Sequence, residues 1–185
     1  MRAWLPLLTL AAAGCLTAEA PGDGAQAPRA TALVALTPGT PLPAVPLLSV
    51  DLLAQPTRLE QAAGGRVALV TFWATWCEAC ATEFDALNRL DDRVRDRGGV
   101  VIGVAVGEPR KKAAAFARQR GLRYAQLFDE KLALADALGQ KRLPATLVLD
   151  RQGRVVFVGG ALDERALPTS GMNSVSPTNT EPSIR

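Results

Sequence analysis

Cys77 and Cys80, in the run Trp76-Cys77-Glu78-Ala79-Cys80, are the residues of this 185-residue chain best suited to chemistry. A three-residue step on a helix puts both sulfurs on one face, close enough to bond. If that helix starts at Cys77, its unpaired N–H groups and positive dipole end favour a thiolate there. Cys77 is then the attacking sulfur. Cys80, one turn further in and on the apolar stripe, is the buried partner that resolves a mixed disulfide. The competing assignment is a structural disulfide without turnover, but a loop of two intervening residues would constrain the unfolded chain very little. A zinc site is the other use of such spacing. With Cys15 as the third cysteine and no histidine in the chain, a four-ligand set is missing, and no metal is expected.

The lack of histidine also removes Ser-His-Asp and Cys-His catalysis, so any activated cysteine must draw on another group. A net charge of +3 attracts polyanions weakly, and Arg110-Lys111-Lys112 reads as the start of a solvated helix; nucleic acid is not an expected partner. At 48% hydrophobic and 21% charged, the composition is that of a globular protein with one core.

The elements that must position the cysteines follow from periodicity. Residues 66–72 form a continuous apolar, β-branched run, as in a strand covered on both faces. A helix is expected over 77–97, because Cys80, Phe84, Leu87, Leu90 and Val94 recur at three- and four-residue steps before Gly98-Gly99. A second buried strand over 100–106 precedes a helix over 109–119 that stops at Gly121. After a short apolar segment at 124–128, a helix is expected over 131–138. Strands over 145–149 and 155–158 then pair through the turn Asp150-Arg151-Gln152-Gly153. An earlier apolar stretch covers 46–53, and 162–167 can form a last helix before Pro168. Alternation of this kind gives an α/β sandwich with a mixed sheet.

The ends read differently. Residues 1–15 have Arg2 followed by an apolar stretch and Ala12-Ala13-Gly14-Cys15, the pattern of an export signal too short to span a membrane. Ala12-Ala13-Gly14-Cys15 resembles the lipobox of bacterial lipoproteins, which implies lipid attachment at Cys15, although the family usually has leucine at the position of Ala12. Cleavage at Ala18-Glu19-Ala20 is the alternative, disfavoured by Pro21. Residues 16–43, rich in Ala, Pro and Gly, form a spacer on the order of 30 Å long. The folded domain is placed at 44–168, with a disordered polar tail at 169–185.

The run from Phe72 to Cys80, followed by Glu83-Phe84 and later by Leu143-Pro144-Ala145-Thr146 and Asp150-Arg151-Gln152-Gly153, resembles the membrane-anchored TlpA/ResA family over roughly residues 44–160. The resemblance implies a thioredoxin-like three-layer sandwich, a central mixed β-sheet flanked by helices. It implies a cis Pro144 whose loop faces the disulfide, so that Leu143 and Pro144 form a substrate edge. Glu83 matches a glutamate of the ResA-like branch that could exchange a proton with Cys80 if burial raises its carboxyl pKa; the alternative is a first-turn acid serving the helix dipole. Thr71 stands where cytoplasmic thioredoxins carry a buried aspartate. Ala79 departs from the family, which usually has proline there, and so does the short C-terminal end. Trp76, with exposed Glu78 and Ala79, is expected to border the substrate groove, and Trp73 to lie in the core.

The function these residues suggest is a protein-disulfide reductase outside the cytoplasm, lipid-anchored to a membrane and probing exported proteins, with apocytochrome c as the substrate class that the resemblance implies. Its redox centre is the Cys77–Cys80 pair without further cofactor, its electron donor lies in the membrane, and it works as a monomer. The alternatives are a thiol peroxidase of related fold, which needs a proline ahead of the cysteine that Cys77 lacks, and a non-catalytic binding lipoprotein such as a copper carrier, for which a methionine or histidine cluster is missing.

Overall fold

Side chains alternate across a strand, so a strand that is apolar at nearly every position must be covered on both faces. The computed structural model, which describes residues 38–50 and 55–162, resolves two such strands at its centre. In chain order the elements are β1 Leu48–Ser49, α1 Leu59–Ala63, β2 Ala68–Trp73, α2 Glu78–Ala81, α3 Phe84–Arg95, β3 Val100–Val106, α4 Arg110–Gln119, β4 Ala125–Asp129, α5 Ala133–Ala137, β5 Ala145–Leu149 and β6 Val155–Gly159. Cys15, the segments expected at 1–15 and 169–185, and most of the spacer and of the last helix lie outside the described residues.

The six strands form one sheet in the order β1-β4-β3-β2-β5-β6. β2, β3 and β4 are parallel, while β1, β5 and β6 pair antiparallel to their neighbours, which is the mixed sheet expected. Ala68, Val70 and Phe72 of β2, with Val100, Ile102, Val104 and Val106 of β3, point into one core beside Leu59 and Ala63 of α1 and Leu134 and Ala135 of α5. Leu69 and Trp73, with Val101 and Ala105, point into the other, against Phe84, Leu87, Leu90 and Val94 of α3 and Ala113, Ala114 and Ala117 of α4. Burial of each large α3 side chain stabilises by about 1.5–3 kcal/mol, which is why the stripe locks this helix onto the sheet.

The helix expected over 77–97 is two helices. Thr82 Oγ1 donates to Ala79 O at 2.7 Å and Glu83 N–H to Cys80 O at 3.1 Å, so the chain tightens into a three-residue turn between α2 and α3. The apolar period runs through that joint without a break, and periodicity alone gave no sign of it. The segment at 124–128 is a full strand, β4, and α1 is a helix the sequence did not announce. The chain also meets the sheet before residue 44: Gly39 N–H donates to Val155 O at 2.7 Å, and Pro41 bridges to Arg154.

Glycine matters at Gly103 in β3. A Cβ there would lie 2.5 Å from Gln126 Oε1, the atom that accepts the Trp73 Nε1–H bond at 3.0 Å. The missing side chain makes room for a buried polar link between β2 and β4.

Candidate active site

β2 ends at Trp73, and the chain turns at once: Cys77 N–H donates to Ala74 O at 3.1 Å. Cys77 becomes the N-cap of α2, with its Sγ accepting from Cys80 N–H at 3.2 Å. The two cysteines form a disulfide, with Cα atoms 5.3 Å apart. Cys77 is 7% exposed and Cys80 1%, so Cys80 is the deeper sulfur as expected, while Cys77 in this oxidised pair is more enclosed than the accessible nucleophile the sequence suggested.

The electrostatic argument for Cys77 also needs revision. α2 has four residues and ends in the tight joint at Thr82 and Glu83, so it carries little of the dipole that an unbroken helix over 77–97 would have supplied. The N–H group of Cys80, aimed at the sulfur from within the same turn, is the local donor the structure provides.

Trp76 stands 65% exposed beside this pair, and Glu78 and Ala79 are exposed on the first turn of α2. Trp73 is fully buried, edge-on to Phe84 at 5.6 Å and stacked on Phe116 at 5.9 Å. The Leu143–Pro144 peptide bond is cis. Both residues are half-buried, and Leu143 packs against the core cluster that contains Cys77 and Cys80. Leu143 and the cysteines, far apart in sequence, therefore meet in one cluster.

Glu83 is the N-cap of α3 but makes no capping hydrogen bond. Its Oε1 instead accepts the Leu162 N–H at 2.7 Å, from the segment that follows β6. Burial raises its carboxyl pKa above the ordinary value, and the Leu162 bond partly offsets the rise. The direction is the one a proton carrier needs. Leu162 also packs against the cluster of the two cysteines. Behind it, burial pushes the Tyr124 phenol up, with the charges of Glu83 and Asp91 adding to the effect. Thr71 is buried, in register with Gly103 on one side and Thr146 on the other.

Sequence reasoning passed over Glu108, Thr75 and Leu162. Glu108 is 5% exposed, and its Oε1 accepts Thr75 N–H at 2.7 Å while its Oε2 accepts Thr75 Oγ1–H at 2.6 Å. Lys112 Nζ lies 3.0 Å from the same Oε2. The sequence signal was slight, since an acid four residues before a lysine also describes any solvated helix. Among the described residues no group of three or more Cys, Asp or Glu side chains is arranged to hold a metal, and no helix is long and apolar enough to cross a membrane.

Comparison with known proteins agrees with this geometry. The model of the AhpC/TSA family matches residues 38–158. The thiol-disulfide oxidoreductase ResA of Geobacillus thermodenitrificans is 32% identical over 91 residues, covering 49% of this chain and 52% of the relative. The thiol:disulfide interchange protein DsbE of Escherichia coli K12 is 32% identical over 120 residues, covering 64% and 63%. Among solved structures, a secreted thiol-disulfide isomerase from Corynebacterium glutamicum superposes with a TM-score of 0.55 at 28% identity, over 63% of this chain and 74% of that one. The chain thus spans between about half and two thirds of the length of these curated relatives.

Proposed function

The chain belongs to the AhpC/TSA family, and from that premise we propose that it is a thiol-disulfide oxidoreductase working through Cys77 and Cys80. The observation that carries this reading is the Cys77–Cys80 pair at the N-cap of α2, with Leu143, the residue before the cis Pro144, packed against the same cluster. In the reduced protein the Cys77 thiolate attacks one sulfur of a substrate disulfide and expels the other as a thiolate, forming a mixed disulfide. Cys80 then loses its proton to Glu83 and attacks Cys77 Sγ. The second substrate thiolate leaves, and the Cys77–Cys80 disulfide remains with two electrons passed to the substrate. Leu143 and Pro144 offer the edge along which the substrate backbone lies, and exposed Trp76, Glu78 and Ala79 border the groove beside Cys77.

The direction of electron flow follows from what stands between the cysteines. Glu78 places a carboxylate, not a cation, next to Cys77, which disfavours the thiolate and so the reduced form. The pair is thereby a reductant, near the roughly −270 mV of thioredoxin and away from the roughly −120 mV of strong oxidants. The protein acts on exported proteins, apocytochrome c among them, outside the cytoplasm. It is held at a membrane by lipid on Cys15, refilled by a membrane electron donor, and monomeric. The resemblance of residues 12–15 to a lipobox and the secreted relative of similar fold support that location.

Insulin reduction measured beside peroxide consumption tests the activity. Insulin turnover without peroxide turnover is expected; the reverse would assign a thiol peroxidase. Trapping with Cys80→Ser in cells then identifies the substrate, because the mixed disulfide on Cys77 can no longer be resolved.

A further inference from the structure

A carboxylate buried to 5% exposure is costly unless its oxygens find donors, and Glu108 has three. The Lys112 contact joins Glu108, just before α4, to a residue four positions on, and a plain surface role would account for that bond alone. The other two bonds come from Thr75, 33 residues earlier, and take up both its N–H and its hydroxyl. They tie the loop after β2 to the loop after β3. The parallel register of Trp73 with Ala105 brings those two strand ends together, so Thr75 and Glu108 face each other just beyond the sheet.

Thr75 immediately precedes Trp76, which is 65% exposed, and Cys77, whose N–H closes the turn onto Ala74 O. With Thr75 held at two points, the backbone from Ala74 to Cys77 has little freedom left, and a partner meets a fixed surface. We propose that Glu108 is a positioning residue of the redox site: through Thr75 it fixes the Trp76–Cys77 face on which a protein disulfide is laid. The inference rests on the reading of Cys77 and Cys80 as the redox centre. It assigns Glu108 no contact with the reacting sulfurs. Its effect falls on substrates large enough to dock against Trp76, and much less on a small disulfide that reaches Cys77 alone.

The experiment uses the full chain with three substitutions, Thr75→Ser, Thr75→Val and Glu108→Gln. KM and kcat are measured with insulin, and the rate of oxidation of the reduced protein with oxidised glutathione. Thr75→Val removes the hydroxyl donor while keeping shape and N–H, and KM for insulin is expected to rise roughly three- to tenfold, the scale of one hydrogen bond. Thr75→Ser keeps both donors and should restore KM to within roughly twofold of the wild type. Glu108→Gln should raise KM at least as far as Thr75→Val. In all three, the glutathione rate should stay within roughly twofold, because no docking surface is involved. Equal KM values for Thr75→Val and Thr75→Ser would overturn the proposal, as would a parallel loss with insulin and glutathione, which marks general damage to the fold. Failure of the parent reading looks different: the wild type would not reduce insulin, or Cys77→Ser would still do so.

Discussion

The two faces of the sheet hold cores of different kinds. The face under α1 and α5 is lined by Leu, Val, Ile and Ala side chains around Phe72, with Asp129 buried where it accepts the Leu134 and Ala135 N–H groups of α5. The face under α2, α3 and α4 gathers Trp73, Phe84, Tyr124 and Phe128 with the two cysteines, and buries Gln126 and Asp91 as well. Aliphatic side chains hold a layer by volume and can be exchanged for others of similar size at modest cost. Aromatic rings with polar tips need partners in fixed directions, as Trp73 Nε1–H needs Gln126 Oε1. The redox pair sits on the directional face, where a shift of one ring is resisted by a hydrogen bond as well as by packing. The difference teaches that this fold holds the redox pair by directional contacts between side chains, whereas the aliphatic face is held mainly by volume, its buried Asp129 bonding to the backbone at the start of α5.

The sharpest break of that division is Cys77→Ser, which should abolish insulin turnover while leaving the thermal transition of the reduced protein nearly unchanged. Leu134→Ala or Leu147→Ala should do the opposite. Both residues are buried to 1% exposure or less in the aliphatic core, and each truncation should cost about 2–5 kcal/mol by denaturant unfolding. The redox potential, measured by equilibration with glutathione, should stay where it is in the two leucine variants. A shifted potential in the leucine variants would mean the two faces are coupled and the division false.

Gly103→Ala tests the border between the faces with a smaller effect. Its methyl group would displace Gln126 Oε1 from a site 2.5 Å away and strain the Trp73 link, so a loss of about 1–3 kcal/mol is expected, together with a changed near-ultraviolet signal from the tryptophan.

The aromatic, directional side of the molecule is also where the sequence was least legible. The central strands could be read because β2, but for Thr71, and β3 carry no polar side chain, and the 100–106 and 145–149 boundaries agree with β3 and β5. The cysteine pair, the deeper placement of Cys80 and the cis bond before Pro144 were expected from spacing or resemblance, while the raised pKa of Glu83 was the condition of one of two alternatives left open there. What could not be read depends on partners distant in sequence. The break at Thr82 and Glu83 comes with a carboxylate that turns away to Leu162, 79 residues on. Glu108 has no local sequence signal because Thr75, its main partner, lies in another loop. Residues 124–128 read only as an apolar segment, since Gln126 interrupts the run and its burial depends on Trp73 and Gly103, distant in sequence.

Glu83→Gln is the mildest change and the most informative about the directional face. Burial raises the native carboxyl pKa above its unfolded value, so the folded protein holds that proton more tightly than the unfolded chain does. Stability from this group is therefore complete below the unfolded carboxyl pKa and is lost as pH rises through the native one. A glutamine does not ionise, and its Oε1 can still accept the Leu162 N–H. The oxidised variant should consequently melt with the wild type in acid and slightly above it at neutral pH, the gap opening across the window between the two pKa values. Turnover should move the other way. Without a carboxylate to take the Cys80 proton, resolution of the mixed disulfide slows, and the limb of the pH profile that Glu83 supplies disappears. A variant that is more stable and slower at neutral pH marks Glu83 as a group kept ionisable at a cost to the fold. If the melting gap does not change with pH, the buried carboxylate carries no such cost; if the pH profile is unchanged, Glu83 is no more than a link between α3 and the segment after β6.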